Sequence, residues 1–341
     1  MSTTAAVSRQ FKLAKRPIGM PNRSNWDEVS EAIREPGQGE VLVKVLYLSL
    51  DPAMRGWMNE GRSYIPPVKI GEVMRAGGVG RIIESKSPAH AVGDFVVGTL
   101  GVQEYATVPG TDVNRVDPLL APLPVYLSVL GMPGMTAYFG LLDIGVPKPG
   151  ETVVVSGAAG AVGLVVGQIA KIKGCRVVGI AGGAEKCAFI KDGLGFDAAI
   201  DYKAEELHVA LRRECPKGID IYFDNVGGDT LDECLARLAF HGRVIVCGAI
   251  SQYNNTTPIK GPSNYLSLLV NRARMQGMVV FDYTPRFGEA VKDLARWMAE
   301  GKIKPREDIV AGLETFPETL LKLFKGENFG KLILKVADEA D

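Results

Sequence analysis

Ser156-Gly157-Ala158-Ala159-Gly160-Ala161-Val162-Gly163 is the stretch whose reading decides the fold. Three glycines carry little information in a chain of 341 residues that holds forty of them. Their position carries much more. The stretch follows the continuous apolar run Thr152-Val153-Val154-Val155, the pattern of a parallel strand covered on both faces. It opens a helix predicted over residues 162–173. A glycine turn between strand and helix is what a phosphate-binding site needs. Gly157 and Gly160 let the backbone come near a pyrophosphate, and Gly163 lets the helix pack close to the strand. The helix start at Ala161 and Val162 offers free N–H groups and the positive end of its dipole. The weakly polar run Thr152–Ala170 is long enough to suggest a membrane span, but strand, turn and apolar helix account for it.

Working outward, strands and helices alternate. Strands are predicted over 176–180, 198–200, 219–224 and 242–247, with helices over 184–192, 204–214 and 230–239. Elements of these lengths in this order form βαβ units and a doubly wound parallel sheet. The first third reads differently. Glu40–Tyr47, Gly78–Ile83 and Asp94–Gly98 are strand-like between turn signals, and helical periodicity is scarce. It is expected to be an irregular, mostly antiparallel β domain. Prolines 118, 122, 124 and 133 punctuate the passage between the two regions. A tail strand over 330–336 is expected to return to the first domain. That gives residues 1–128 with 304–341 as one domain and 129–303 as the other.

Composition narrows the function. Thirty-nine Lys plus Arg balance thirty-nine Asp plus Glu, so no global charge draws the chain to nucleic acid or to an anionic membrane. Neither is expected as a partner. Cys175, Cys187, Cys215, Cys234 and Cys247 are odd in number and never close in sequence, unlike a disulfide framework or a zinc knuckle. His90, His208 and His241 lie far apart, and each reads as a loop, helix-surface or turn residue. No metal is expected. The segment Met1–Arg16 is polar and lacks an apolar h-region, so no signal peptide is expected and the protein reads as cytoplasmic.

An NAD-binding chain places an acid about twenty residues after the glycine turn, where it holds the adenosine ribose. Here the strand ends in Ala181-Gly182-Gly183-Ala184-Glu185-Lys186. Small residues leave room, and Lys186 brings a cation to a 2′-phosphate. The pattern favours NADPH. Without a metal or an evident acid–base histidine, hydride delivery to a conjugated C=C asks less of the protein than alcohol oxidation. It needs donors that polarise the carbonyl and a Tyr or water that protonates the enolate.

Several blocks resemble the zinc-independent medium-chain dehydrogenase/reductases, in the leukotriene B4 12-hydroxydehydrogenase and prostaglandin reductase branch, and most of all bacterial NADPH-dependent curcumin reductases. They are Tyr47–Gly56, Gly131–Tyr138, Val165–Lys171, Tyr222–Gly228, Cys247–Asn254 and Asn328–Lys331, in order along essentially the whole chain. The resemblance implies a Rossmann doubly wound parallel sheet beside a GroES-like β domain, NADP(H) as cofactor, and a homodimer. It puts Lys186 on the 2′-phosphate with Tyr202 near the same adenosine end, beside Gly182. Asn225 faces the cofactor from a strand end; Gly248, Ser251 and Tyr253 run along the ribose and nicotinamide side. Asn328 belongs to the C-terminal cofactor motif, and Met132 and Thr136 lie near the nicotinamide. Tyr253 and Tyr64 are the candidate catalytic hydroxyls. Tyr47, Asp51, Ala53, Met54, Tyr64 and Phe281 are the candidate substrate pocket. Relatives commonly carry Tyr where this chain has Ala53, so the pocket is expected to be reshaped.

The leading expectation is reduction of the C=C bond of α,β-unsaturated ketones or aldehydes, in the manner of an enone or alkenal reductase. A zinc-free quinone oxidoreductase is the alternative, with a non-catalytic NADP-binding sensor third.

Overall fold

The computed structural model describes residues 7–339, so of the segment Met1–Arg16 the first six residues lie outside it. The chain divides into two compact units, one built from the N-terminal residues up to Leu127 together with residues from Glu307 on, the other from Ser128–Arg306.

The strands in chain order are β1 (Val7–Leu13), β2 (Trp26–Ala32), β3 (Glu40–Ser49), β4 (Gly77–Ser85), β5 (Phe95–Thr99), β6 (Tyr105–Pro109) and β7 (Val113–Val116). Then come β8 (Thr152–Ser156), β9 (Arg176–Ala181), β10 (Ala198–Asp201), β11 (Ile219–Asp224), β12 (Leu238–Val246) and β13 (Arg274–Gly277), with β14 (Glu307–Ala311) and β15 (Lys331–Lys335) last. Helices are α1 (Ala53–Trp57), α2 (Met132–Phe139), α3 (Ala161–Ile172), α4 (Ala184–Ala188), α5 (Leu207–Glu214), α6 (Gly228–Ala236), α7 (Leu266–Val270), α8 (Phe287–Ala299) and α9 (Phe316–Lys325).

In the first unit β1 and β2 form an antiparallel ladder. A seven-stranded sheet runs β14-β15-β3-β4-β5-β7, with β6 also on β3. Most of its pairings are antiparallel; β14 and β15 run parallel. β3 is the hub. Its Val41, Val43, Val45 and Leu48 enter a core with Phe11, Leu13 and Trp26 from the ladder and Phe316 from α9. The Phe316 ring meets Phe11 and Trp26 at 5.3 and 5.2 Å, inside the range in which aromatic pairs attract.

The second unit holds a six-stranded parallel sheet in the order β10-β9-β8-β11-β12-β13. This is the doubly wound order, with the switch point between β8 and β11, where open α/β sheets take their ligands. Every residue of β8 is buried, as its continuous apolar run required.

Three predicted helices differ from the observed ones. The helix expected from Ala204 starts at Leu207, because the Asp201 carboxylate accepts the Lys203 N–H at 3.0 Å and winds residues 201–205 into a turn. Such local side-chain bonds compete with helix. The helix over 184–192 is α only to Ala188, and a wider π turn carries Phe189–Gly193. The helix expected to reach Ala239 ends at Ala236. There Leu238 already pairs with Ile219, and His241 adopts φ 59° in an excursion before Arg243 pairs with Ile221.

Candidate active site

At the carboxyl end of β8 the chain turns through Gly157, whose φ of 60° favours glycine, and enters α3 at Gly160. A Cβ on Gly163 would stand 2.3 Å from the Gly157 carbonyl oxygen, so only glycine lets α3 begin this close to the strand. No side chain caps the start of α3. Its first N–H groups therefore have no intrahelical acceptor, and they face the end of the sheet with the positive dipole behind them. This cradle fits a dinucleotide pyrophosphate.

At the next strand end, β9 runs into Gly182 and Gly183, and α4 begins at Ala184 with Lys186 in its single turn. The Gly183 N–H donates to Asp201 at 2.9 Å, which ties this turn to the end of β10. The ring of Tyr202, half-exposed, lies over Gly182, with a Cβ there meeting it at 2.8 Å. Gly182, Lys186 and Tyr202 thus share one corner, where the Asp201 carboxylate is taken up by the backbone N–H groups of Gly183 and Lys203.

On the other side of β8 the end of β11 carries Asn225. Its Nδ2 donates to the Ser156 carbonyl at 2.8 Å, which leaves Oδ1 as the acceptor offered beyond the strand. Ser251 donates its hydroxyl to the Val226 carbonyl at 2.7 Å. The Tyr253 hydroxyl oxygen accepts the Ala249 N–H at 3.1 Å and lies 3.1 Å from where a Gly248 Cβ would be. An oxygen that accepts a backbone N–H keeps its own O–H as a donor. Asn225, Gly248, Ser251 and Tyr253 therefore form one connected group beside the glycine turn. Met132, exposed, and Thr136 sit on α2, where the Thr136 hydroxyl is turned back onto the Met132 carbonyl at 2.8 Å. Phe281 is exposed in the turn Val280–Arg286.

The first unit holds the remaining candidates. Lys331 is fully buried; its Nζ meets Asp51 at 2.6 Å and the Leu50 carbonyl at 2.7 Å. Ser49 donates to the other Asp51 oxygen. Asn328 donates to Gly330 at 2.9 Å in the same segment. Ala53 opens α1, half-buried, whereas Met54 is inside the core. Tyr47 is also buried, its hydroxyl donating to Glu339 at 2.9 Å; burial first, then that carboxylate, push its pKa up to about 12. Tyr64 is exposed in the loop after α1.

Asp224 and Lys331 were not singled out from the sequence. A usable signal existed for the first: Asp220, Tyr222 and Asp224 share one face of an otherwise apolar strand. Among the described residues no group of three or more His, Cys, Asp or Glu side chains could hold a metal ion.

Residues 9–116 match the family described as the N-terminal domain of oxidoreductase, and residues 161–299 the one described as zinc-binding dehydrogenase. The NADPH-dependent curcumin reductase of Escherichia coli (strain K12) is 46% identical over 337 residues, 97% of this chain and 98% of that protein. The putative NADP-dependent oxidoreductase YfmJ of Bacillus subtilis (strain 168) is 48% identical over 336 residues, 98% and 99% of the two chains. This chain belongs to the medium-chain dehydrogenase/reductases. Its place is in their curcumin reductase and prostaglandin reductase branch. The crystal structure of CurA from Vibrio vulnificus in complex with NADPH superposes with a TM-score of 0.92 at 46% identity, covering 97% of this chain and 99% of that one. Both sheets described above thus belong to a known architecture.

Proposed function

We propose that the protein reduces the C=C bond of α,β-unsaturated ketones or aldehydes with NADPH. The observation that carries the cofactor is the glycine cradle at the start of α3, joined to a β9 end that offers Lys186 and whose nearby Asp201 is engaged by backbone N–H groups. The observation that carries the chemistry is similarity over nearly the full chain to reductases named for curcumin and for 2-alkenals.

NADPH, when bound, supplies the hydride that the β-carbon of the conjugated alkene takes up. The chain's own residues do the rest. The α3 N–H groups hold the pyrophosphate, Lys186 pairs with the 2′-phosphate, and Tyr202 flanks the adenosine. The Asn225 Oδ1 and the turn from Gly248 to Ser251 hold the nicotinamide half. As the alkene π bond breaks, negative charge gathers on the carbonyl oxygen, and an O–H donor stabilises it. Tyr253, whose oxygen is steadied by the Ala249 N–H, and Tyr64 are the proposed donors to that oxygen or to the α-carbon. A hydride and a proton together convert C=C to CH–CH, so no Lewis acid is required. With Ala53 opening α1, the pocket accepts a bulkier substrate than a tyrosine there would allow.

NADPH oxidation against a panel of enones, alkenals and quinones, with product analysis, tests this reading. Saturated ketones or aldehydes are the expected products, and Tyr253→Phe is expected to lower turnover about 100-fold. Intact NADPH binding with no turnover of any enone or alkenal would sink it; turnover confined to quinones would make the protein a quinone oxidoreductase.

The assembly is proposed to be a homodimer. β13, the last strand of its sheet, is exposed along its whole length, and Leu266, Leu269, Val270 and Met275 are exposed close to it in sequence. An unpaired edge beside apolar residues suits a second copy of the same strand. A cytoplasmic setting is proposed because all five cysteines are free. Titration of fewer than five thiols after denaturing freshly purified protein, which exposes the buried Cys175, Cys215 and Cys234, would count against it.

A further inference from the structure

Asp224 closes β11 next to the end of β8, at the switch point of the sheet. It is 1% exposed, although charged residues are almost never buried unless paired, and its partners among the described residues are neutral donors. One oxygen, Oδ1, instead accepts four donors: the Tyr222 hydroxyl at 2.7 Å, Ser156 Oγ at 3.2 Å, and the N–H groups of Gly227 at 2.9 Å and Val226 at 3.0 Å. The other, Oδ2, is buried with no partner. The Asp224 backbone carbonyl accepts two more N–H groups, from Cys247 at 2.9 Å and Gly248 at 3.1 Å.

These bonds reach the two turns that carry the proposed nicotinamide contacts. The Val226 N–H is held by Asp224. The Val226 carbonyl in turn accepts both the Ser251 N–H at 3.1 Å and the Ser251 hydroxyl at 2.7 Å. Ser251 is the second residue of the short turn Ile250–Gln252, which Tyr253 ends. On the near side, Ser156 Oγ, itself a donor to Asp224, accepts the Asn225 N–H at 2.9 Å. The Asp224 side chain thus joins the end of β8 to the 225–228 turn, and the backbone carbonyls of Asp224 and Val226 carry the connection on to the 247–253 turn. A buried polar network of this kind, held by a carboxylate, specifies one arrangement more tightly than apolar packing does.

We propose that Asp224 is a positioning residue that presets the nicotinamide half of the cofactor site, acting through Val226 and Ser251 on one side and through Ser156 and Asn225 on the other. The proposal rests on the reading of this site as an NADPH site, and it concerns only half of the cofactor. The adenosine half, at Gly182, Lys186 and Tyr202, hangs from β9 and β10 and does not touch the network. A residue that merely held the unit together would disturb both halves alike.

The test compares two ligands on the full chain. NADPH and 2′,5′-ADP, which keeps the adenosine and 2′-phosphate but lacks the nicotinamide, are titrated against wild type and Asp224→Asn. Asn keeps the shape and an acceptor oxygen, but it brings an NH2 group into a place without an acceptor. NADPH is expected to bind about fivefold or more weakly to the variant, while 2′,5′-ADP binds both proteins equally. Equal weakening of the two ligands, or unchanged NADPH affinity, overturns the proposal. If Asp224→Asn does not fold, Ser156→Ala, which removes the acceptor of the Asn225 N–H and one donor to Asp224 Oδ1, is expected to show the same split, and its absence overturns the proposal equally. Wild-type protein that does not bind NADPH at all would instead overturn the reading of the site, and the two failures are told apart in the first titration.

Discussion

Lys186 is proposed to carry the choice between two cofactors that differ by one phosphate. It stands on α4, one residue past Glu185, at a corner shared by Gly182 and a half-exposed Tyr202. A lysine facing a phosphate makes a charge-assisted bond, and no comparable partner exists on the bare ribose of NADH. Lys186→Ala is therefore expected to weaken NADPH about 10- to 100-fold and NADH hardly at all, measured as KM or by fluorescence titration. Equal effects on both would remove Lys186 from the phosphate site. The residue was legible in the sequence because the position is defined locally, by the end of a strand and the start of a helix. Asp224 is harder to read: three of its side-chain donors are within three residues, but Ser156 and the N–H groups of Cys247 and Gly248 on its carbonyl come from strand ends that only the folded sheet brings together.

At the scale of elements, the turn between β8 and α3 shows how far a local pattern reaches. The predicted helix start and the observed one differ by a single residue, and the predicted strand is the observed strand. Gly163→Ala is expected to cost about 1–3 kcal/mol of stability, since the new methyl would overlap the Gly157 carbonyl and must push α3 away from it. The same shift moves the helix N–H groups, so NADPH affinity falls as well. Urea denaturation with and without NADPH checks both, and wild-type stability with wild-type affinity would show that the approach is not as close as drawn. Where prediction missed, side chains had intervened. Asp201 captures the Lys203 N–H and delays α5, and the left-handed His241 belongs to an excursion that no periodicity announces.

For the whole molecule, the largest question is what joins segments far apart in the chain. In the first unit the C-terminal strand β15 pairs with β3, and its first residue, Lys331, is buried against Asp51, 280 residues earlier. Burial lowers the Lys331 pKa, and the Asp51 charge opposes that. Removing one partner strands the other: Lys331→Met is expected to cost about 3 kcal/mol in urea denaturation. Adding Asp51→Asn should restore part of it, and simple additivity would show that the two do not act as a pair. The second unit makes its own prediction through the exposed edge of β13. Sedimentation at micromolar concentration is expected to give twice the 36.6 kDa chain mass, and a monomer there would rule out the edge as a dimer contact.

The parallel sheet, its glycine turn and the place of Lys186, proposed to favour NADPH, were determined by the sequence alone. Each is a pattern of neighbouring residues, with a period of two in strands, near 3.6 in helices, and glycines at the junction. The first unit was only partly legible, since its short strands, β1, β2, β6, β7 and β14 among them, take their meaning from partners across the sheet. The tertiary structure alone decided the Asp51–Lys331 pair, the enclosure of Tyr47 and Met54, and the Asp224 network. A buried charge is stable only where hydrogen-bond partners reach it, and where those partners come from distant segments no local period records which segments they are.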